Sequence, residues 1–265
     1  MPAITLLSDF GTQDASVSVA KATLWRYMPG TAIIDISHGV AQYDLQQAAY
    51  LLLSAYRYFP AGTVHVLLVD VFSGDVPRML VAEKDGYIFI APDNGILTLA
   101  FGAGLHNTRL CREFTRPYSF HDWVNTIGQV IQGLSPDGNP AIDFRDCEVK
   151  KTPRLLQPKV VHDGVECNVM YIDRYENIIL DITREQFQEI IQDRPFRIKI
   201  MRSEDITTIS NNYNDVKNGE PLCRFNNAGF LEIAFNHAPA ASFLGLSSFS
   251  TANLRYQTIK IFFKA

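Results

Sequence analysis

Three aspartates, Asp9, Asp70 and Asp93, each stand where an apolar run ends, after residues 4–7, 63–69 and 87–91. Runs of that length and composition read as buried strands, and the carboxyl ends of strands in a parallel sheet line its ligand crevice. Carboxylates gathered there repel one another, so they point to a cation, a hydroxyl-rich ligand or a bound water that makes use of the charge. The pattern predicts a site for a polar small molecule. Taken singly, each aspartate has a plainer reading as the cap of a turn or helix.

The elements that must hold such a site are written around these residues. Asp14 predicts a capped helix over 15–27, ended by Pro29-Gly30, and a strand follows over 31–36. Asp35 and His38 are expected to hold the turn after it. Asp44 with Gln47 predicts a capping box opening an apolar helix over 45–59. Lys84-Asp85-Gly86 predicts a hairpin that adds antiparallel pairing to a mostly parallel sheet. His65 alternates within its strand and is expected in the core, hydrogen-bonded. Residues 1–150 therefore read as an α/β domain with a mixed, mostly parallel sheet.

Turn and linker residues follow at Pro136–Pro140 and over 150–158. Beyond them, short apolar runs at 165–172, 178–182, 196–201, 230–236 and 258–263 alternate with loops rich in Asn, Asp, Gly and Pro. With one helix over 184–192, this predicts a small antiparallel β-barrel domain over 158–265.

Composition removes several function classes. The 265 residues carry a net charge of -4 and no basic stripe, which argues against nucleic acid as partner. No run approaches the length of a membrane span and no leader precedes the first strand, so a cytoplasmic chain without membrane contact is expected. Cys111, Cys147, Cys167 and Cys223 form no Cys-x-x-Cys pair, so reduced thiols are expected and no metal site. A Gly-x-Gly-x-x-Gly after the first strand is absent, which counts against a dinucleotide oxidoreductase.

Five strings now stand in one order: Ser8-Asp9-Phe10-Gly11-Thr12, Asp35-Ile36-Ser37-His38, Tyr58-Phe59-Pro60-Ala61-Gly62-Thr63, Pro92-Asp93-Asn94-Gly95-Ile96-Leu97 and Tyr171-Ile172-Asp173-Arg174-Tyr175-Glu176-Asn177. Together they resemble the S-adenosylmethionine hydroxide adenosyltransferase family, hydrolases related to the fluorinase and chlorinase, from about residue 4 to 246. The resemblance implies an α/β domain followed by a β-barrel. It also implies a homotrimer whose ligand lies between the first domain of one subunit and the second domain of its neighbour. S-adenosylmethionine would be the substrate, with no cofactor.

The same resemblance assigns residues. Asp9 matches the ligand of the ribose diol, since a carboxylate accepts two hydroxyl hydrogen bonds. Asp14 and Ser16 fall near the methionine end, and Tyr43 beside the adenosyl group. Asp173 matches the holder of the methionine ammonium, and Asn177 the reader of the adenine edge. Asp93, Asn94 and Asn227 belong to the substrate-binding set, as does Asn236 in Phe235-Asn236-His237-Ala238, which would close over adenine.

The family reaction is attack of water on ribose C5′, with the sulfonium leaving as a neutral thioether. The protein must desolvate the site, align the nucleophile and orient a water. Of the Asp, Arg and His that surround this water in family hydrolases, Asp70 and His121 match the first and last. In Val71-Phe72-Ser73-Gly74-Asp75-Val76-Pro77-Arg78, ungapped alignment puts Pro77 on the arginine position and Arg78 one residue late. A one-residue shift in extended chain turns a side chain to the opposite face. Two other readings therefore stay open. One is a protein of this fold that binds S-adenosylmethionine or adenosine with weak or lost turnover. The remoter one is a metal-dependent phosphohydrolase in which Asp9, Asp70 and Asp93 hold a divalent cation.

Overall fold

A computed structural model describes residues 2–134, 143–151, 157–200, 205–246 and 257–263. The chain divides into two compact units, Met1–Pro153 and Arg154–Ala265. The first contains β1 (Ala3–Ser8), α1 (Ser16–Tyr27), β2 (Ala32–Ser37), α2 (Leu45–Ala55), β3 (Val64–Leu68), β4 (Arg78–Lys84), β5 (Tyr87–Pro92), α3 (Ile96–Phe101), β6 (His106–Glu113), α4 (Phe120–Gly133) and β7 (Arg145–Asp146). Its strands form one sheet in the order β2-β1-β3-β5-β4-β6-β7. The first four are mutually parallel, and β4, β6 and β7 add antiparallel pairs.

Strand alternation sorts the side chains onto two faces. Leu6, Val66, Leu68, Val81 and Ile90 pack with Ala20 and Leu24 of α1 and Val124, Ile127 and Ile131 of α4. Their sequence neighbours Leu7, Leu67, Val69, Leu80 and Ala91 pack on the other face with Ala48 and Leu52 of α2 and Ile96 and Leu97 of α3. Each fully buried aliphatic side chain contributes roughly 1.5–3 kcal/mol, so the two layers fix the strand register and, with it, which residues emerge at the carboxyl edge. Gly128 of α4 lets α1 approach closely, because a Cβ there would overlap the Tyr27 ring.

The helix starts follow their capping residues. At α1, however, the N-cap position falls on Ala15, which has no side-chain cap, and the expected cap Asp14 stands one residue earlier, accepting the Ser16 N–H at 2.8 Å. Asp44 takes the N–H groups of Gln46 and Gln47. The Gln47 side chain turns to the Ala41 N–H at 2.6 Å, so only half of the expected capping box forms, and α2 stops at Ala55 before a 3-10 turn over Tyr56–Tyr58. The hairpin forms as expected, with Lys84 opposite Tyr87 and left-handed Asp85 (φ 52) and Gly86 (φ 81) between them. His65 is buried against Phe89 and hydrogen-bonds Thr5 Oγ1 at 2.7 Å. Helix α4 escapes the sequence reading, although Ser119 and Asp122 form a reciprocal capping box at its start.

The second unit contains β8 (Lys159–Val161), β9 (Gly164–Ile172), β10 (Ile178–Thr183), α5 (Arg184–Ile191), β11 (Phe196–Lys199), β12 (Asp205–Ile206), β13 (Pro221–Phe225), β14 (Phe230–Phe235), α6 (Ala240–Phe243) and β15 (Thr258–Phe263). These strands form an antiparallel sheet in the order β12-β11-β15-β9-β10-β14-β13, with β8 added on β9. A bridge between Ile209 and Cys223 brings the two ends of that order together, which nearly closes the barrel. Its core includes Val165, Cys167, Ile178, Leu180, Ile198, Leu231, Ile233 and Ile261. Strand β13 begins with Pro221, the signature that demotes a run to edge strand or loop when only the sequence is read.

The turn expected at Pro136–Pro140, residues 152–156 of the expected linker and Met201 of the expected strand 196–201 lie outside the described residues. Among the described residues the four cysteines are unpaired. No described helix is long and apolar enough to cross a membrane.

Candidate functional site

In the first unit the chain runs from β1 through α1 to β2 on one face of the sheet, then through α2 to β3 on the other. The point where the order reverses, between β1 and β3, is where an open α/β sheet leaves a crevice at its carboxyl edge. A pocket of about 440 Å³ lies there, lined by Asp9, Phe10, Asp14, Ser16, Gln42, Tyr43, Asp70, Val71, Phe72 and Phe120. Five of the residues singled out from the sequence thus meet: Asp9, Asp14, Ser16, Tyr43 and Asp70.

Asp9 organises this pocket. Its Oδ2 accepts the N–H groups of Tyr43 at 3.0 Å and Asp70 at 3.2 Å. Tyr43 (φ 62) and Asp70 (φ 47) are both left-handed, a strain of roughly 1–3 kcal/mol per non-glycine residue that Asp9 helps to offset. Oδ1 of Asp9 has no hydrogen-bond partner among the described residues. Burial raises the Asp70 carboxyl above the usual carboxylate range, and the neighbouring Asp9 charge adds to this. The Ser73 side chain and Lys150 act in the opposite direction. An aspartate tuned upward in this way is a better proton acceptor than an ordinary one. Phe10 and Phe120 meet edge to face at 5.1 Å, and Phe72 packs on Tyr118, giving the pocket an apolar wall.

Four expected residues stand elsewhere. Asp93 emerges at the same sheet edge, but its carboxylate is taken by Arg78 Nη1 at 3.3 Å and the Lys150 N–H at 2.8 Å. Arg78 Nη2 donates to the Glu148 carbonyl at 3.1 Å. The side chain of Arg78 shares the strand face of Leu80 and Ala82, toward α2 and α3, and the one-residue shift seen in the sequence has the consequence that alternation demands. Asn94 is buried, donating to the Val69 carbonyl at 2.9 Å while its Oδ1 accepts the Ile96 N–H. It secures the chain beneath Asp70 and starts α3. His121 is exposed in the first turn of α4, next to the lining residue Phe120 but not itself in the lining. Asp9, Asp70 and Asp93 therefore do not converge. Among the described residues no group of three or more His, Cys, Asp or Glu side chains has the arrangement of a metal site.

The second unit has a pocket of about 900 Å³, lined by residues 174–177, 212–214 and 235–239. Asn177 and Asn236 are in its lining, both buried. Asp173, expected to hold the methionine ammonium, is outside that lining and braces the corner instead: Oδ1 accepts the N–H groups of Tyr175 at 2.8 Å and Asn177 at 2.9 Å, and Oδ2 accepts Asn177 Nδ2 at 2.9 Å. Asn236 Nδ2 donates to the Val216 carbonyl at 2.8 Å. Glu176 (φ 62) and His237 (φ 55) are left-handed, so this pocket too is built on strained backbone. Asn227 is exposed in the turn joining β13 to β14, whereas the pocket lies at the far end of β14. A strand of that length spans about 20 Å, which separates Asn227 from Asn236.

The sequence reading missed the segment 212–214. Tyr213 donates its hydroxyl to the buried Glu232 at 2.7 Å, and Arg224 lies over its ring at 4.9 Å. Burial, followed by the bond to Glu232, pushes the Tyr213 hydroxyl up to about 12. The run Asn211-Asn212-Tyr213-Asn214 is a legible signal, being rich in groups that read polar ring edges. Gln42 carries no comparable mark.

Comparison with known proteins fits both units. Residues 4–124 match the model of the SAM hydroxide adenosyltransferase N-terminal domain, and residues 167–252 match that of its C-terminal domain. An (R)-S-adenosyl-L-methionine hydrolase of Thermus thermophilus is 30% identical over 263 residues, covering 93% of this chain and 96% of the relative. One of Methanocaldococcus jannaschii is 32% identical over 247 residues, covering 87% of each chain. The crystal structure of an uncharacterized conserved protein from Thermotoga maritima is similar with a TM-score of 0.76 at 27% identity, covering 97% of this chain and 99% of that one. With both domain models matched in order and relatives aligned over nearly their full length, the chain belongs to the SAM hydroxide adenosyltransferase family.

Proposed function

We propose that this protein is an S-adenosyl-L-methionine hydrolase. Water attacks ribose C5′, the C5′–sulfur bond breaks with its electron pair going to sulfur, and adenosine, L-methionine and a proton result. The observation that carries the reading is the pair Asp9 and Asp70 at the reversal of the strand order, in a chain of this family. The leaving sulfur is already cationic and departs neutral, so no general acid is required. Asp70, held in a left-handed turn and tuned upward, orients the water and takes its proton. The free oxygen of Asp9 takes the ribose hydroxyls. Asp14 and Ser16 serve the methionine end, and Tyr43 borders the adenosyl group. In the second unit Asn177 and Asn236 read the base, and Asp173 fixes Asn177 for that task. A homotrimer in the cytoplasm belongs to the same proposal. It rests on the family resemblance, and sedimentation of the purified chain tests the trimer.

A second reading is favoured by one observation. Arg78 is committed to Asp93 and the Glu148 carbonyl, and His121 stands outside the pocket lining, so the nucleophile's side is thinner than the ligand-binding side. That would suit a binding protein with weak turnover. Incubation with S-adenosylmethionine, with and without chloride, separates the two by chromatography. Adenosine above the blank, without chloroadenosine, supports the hydrolase. No product, with S-adenosylmethionine still raising the melting temperature, supports the binding protein.

A further inference from the structure

We propose that His38 is a positioning residue for the ligand-facing loop Asp9–Phe10–Gly11, an inference that rests on the function proposed above. The sequence alone gives His38 no more than a turn to hold. In the structure it grips that loop at both ends. Its Nδ1 lies 2.7 Å from Ser8 Oγ, immediately before Asp9. Its main-chain carbonyl accepts the Gly11 N–H at 2.8 Å, immediately after Phe10. Between these two ties stand the two residues of the loop that line the pocket, Asp9 and Phe10.

A local irregularity makes the grip reachable. Leu6 pairs with Asp35, but Leu7 pairs with Ser37, so β2 carries one extra residue opposite the end of β1. Such bulges re-aim side chains beside functional sites. Beside the bulge His38 reaches the Ser8 side chain, and Asp35 stands at the other nitrogen of the His38 ring. Asp35 Oδ1 is 3.0 Å from His38 Nε2, an ion-pair distance off the line of an ideal hydrogen bond, and Lys21 Nζ of α1 is 2.6 Å from Asp35 Oδ2. Nε2 itself makes no hydrogen bond, and the Asp35 charge 3.0 Å away favours a proton on that nitrogen. Nδ1 then accepts the Ser8 hydroxyl, whose lone pairs remain for the Phe10 N–H at 3.4 Å. Lys21, Asp35, His38 and Ser8 thus form one chain of contacts from α1 to the base of the pocket loop.

Ser8, His38 and Asp35 are the residue types of a hydrolytic triad, yet they do not act as one. Ser8 has no solvent exposure, and its hydroxyl is already committed on both sides. The cluster instead fixes where Asp9 stands. Asp9 in turn holds the strained N–H groups of Tyr43 and Asp70, so a slack loop would disturb the ribose contact and the Asp70 turn together.

The test uses three variants of the full-length protein. His38→Gln keeps reach toward Asp35 and loses Ser8, His38→Asn keeps a polar group at the Nδ1 position, and Ser8→Ala removes the hydroxyl should His38→Gln fail to fold. Hydrogen–deuterium exchange over residues 8–12 should rise in His38→Gln and Ser8→Ala with exchange over 164–183 unchanged, and His38→Asn should restore it. KM for S-adenosylmethionine should rise roughly tenfold in His38→Gln and Ser8→Ala, as for one lost hydrogen bond, with kcat falling as well because the Asp70 turn loosens, and His38→Asn should return both toward the parent values. Unchanged loop exchange in a folded His38→Gln or Ser8→Ala protein overturns the inference. Absence of adenosine with the parent protein would instead sink the proposed function, and the exchange result would still decide the role of His38.

Discussion

The two pockets use carboxylates in opposite ways. In the second unit Asp173 spends both oxygens on three donors of its own loop and serves as scaffold. In the first, Asp9 spends one oxygen on the loop and keeps the other, while Asp70 is pushed upward by burial and by Asp9. One pocket presents the amides of Asn177 and Asn236, each held through its Nδ2, beside the rings of Tyr175, Tyr213 and Phe235, an arrangement suited to recognising a ring edge. The other keeps unneutralised carboxylate, suited to hydroxyls, a cationic sulfonium and a water. The difference teaches that an aspartate's position at a strand end says little until its hydrogen bonds are counted.

The largest effect that could break this comparison is on turnover. Asp70→Asn should lower kcat by roughly 100- to 10,000-fold, the range for removing a general base, with the Kd for S-adenosylmethionine little changed. Equal losses in both would move Asp70 from chemistry to binding. Next, Arg78→Ala strands the buried Asp93 and should cost about 3 kcal/mol of stability in urea unfolding, with kcat of the folded fraction retained. A collapse of kcat there would return Arg78 to the site. Asp173→Ala removes three hydrogen bonds from a corner and should cost roughly 2 kcal/mol and raise KM while sparing kcat.

The smallest effect concerns pH. Because the folded Asp70 carboxyl is raised above its unfolded value, its contribution to stability is fully present below the ordinary carboxylate range and is lost as pH rises through the folded value. Asp70→Asn should therefore melt above the parent protein at neutral pH, the difference shrinking as pH falls below that range. A lower melting temperature at pH 7 would mean that Asp70 is a structural carboxylate like Asp173.

How much of this was legible depended on whether a signal was local. The hairpin at Asp85-Gly86, the cap at Asp44 and the continuous buried run of β3 are local, and they read correctly from the sequence. So did the meeting of Asp9 with Asp70, through strand order and family strings. Asp93 carries the same local mark, but its fate was set by Arg78 on an antiparallel neighbour and by the Lys150 N–H. Asn227 illustrates the same limit. An asparagine between apolar runs looks the same at either end of a strand, and only the hairpin places it away from the pocket. The Tyr213–Glu232–Arg224 contacts join residues up to 19 positions apart and leave no periodic trace.

The most direct test of the central claim, that the Asp9 and Asp70 pocket directs water onto C5′, is turnover of S-adenosylmethionine in ¹⁸O-labelled water with mass spectrometry of the nucleoside. With water as the nucleophile, the adenosine carries one labelled oxygen, forms with an equal amount of L-methionine and is lost in Asp70→Asn. Unlabelled adenosine, or chloroadenosine formed in its place when chloride is present, would contradict it.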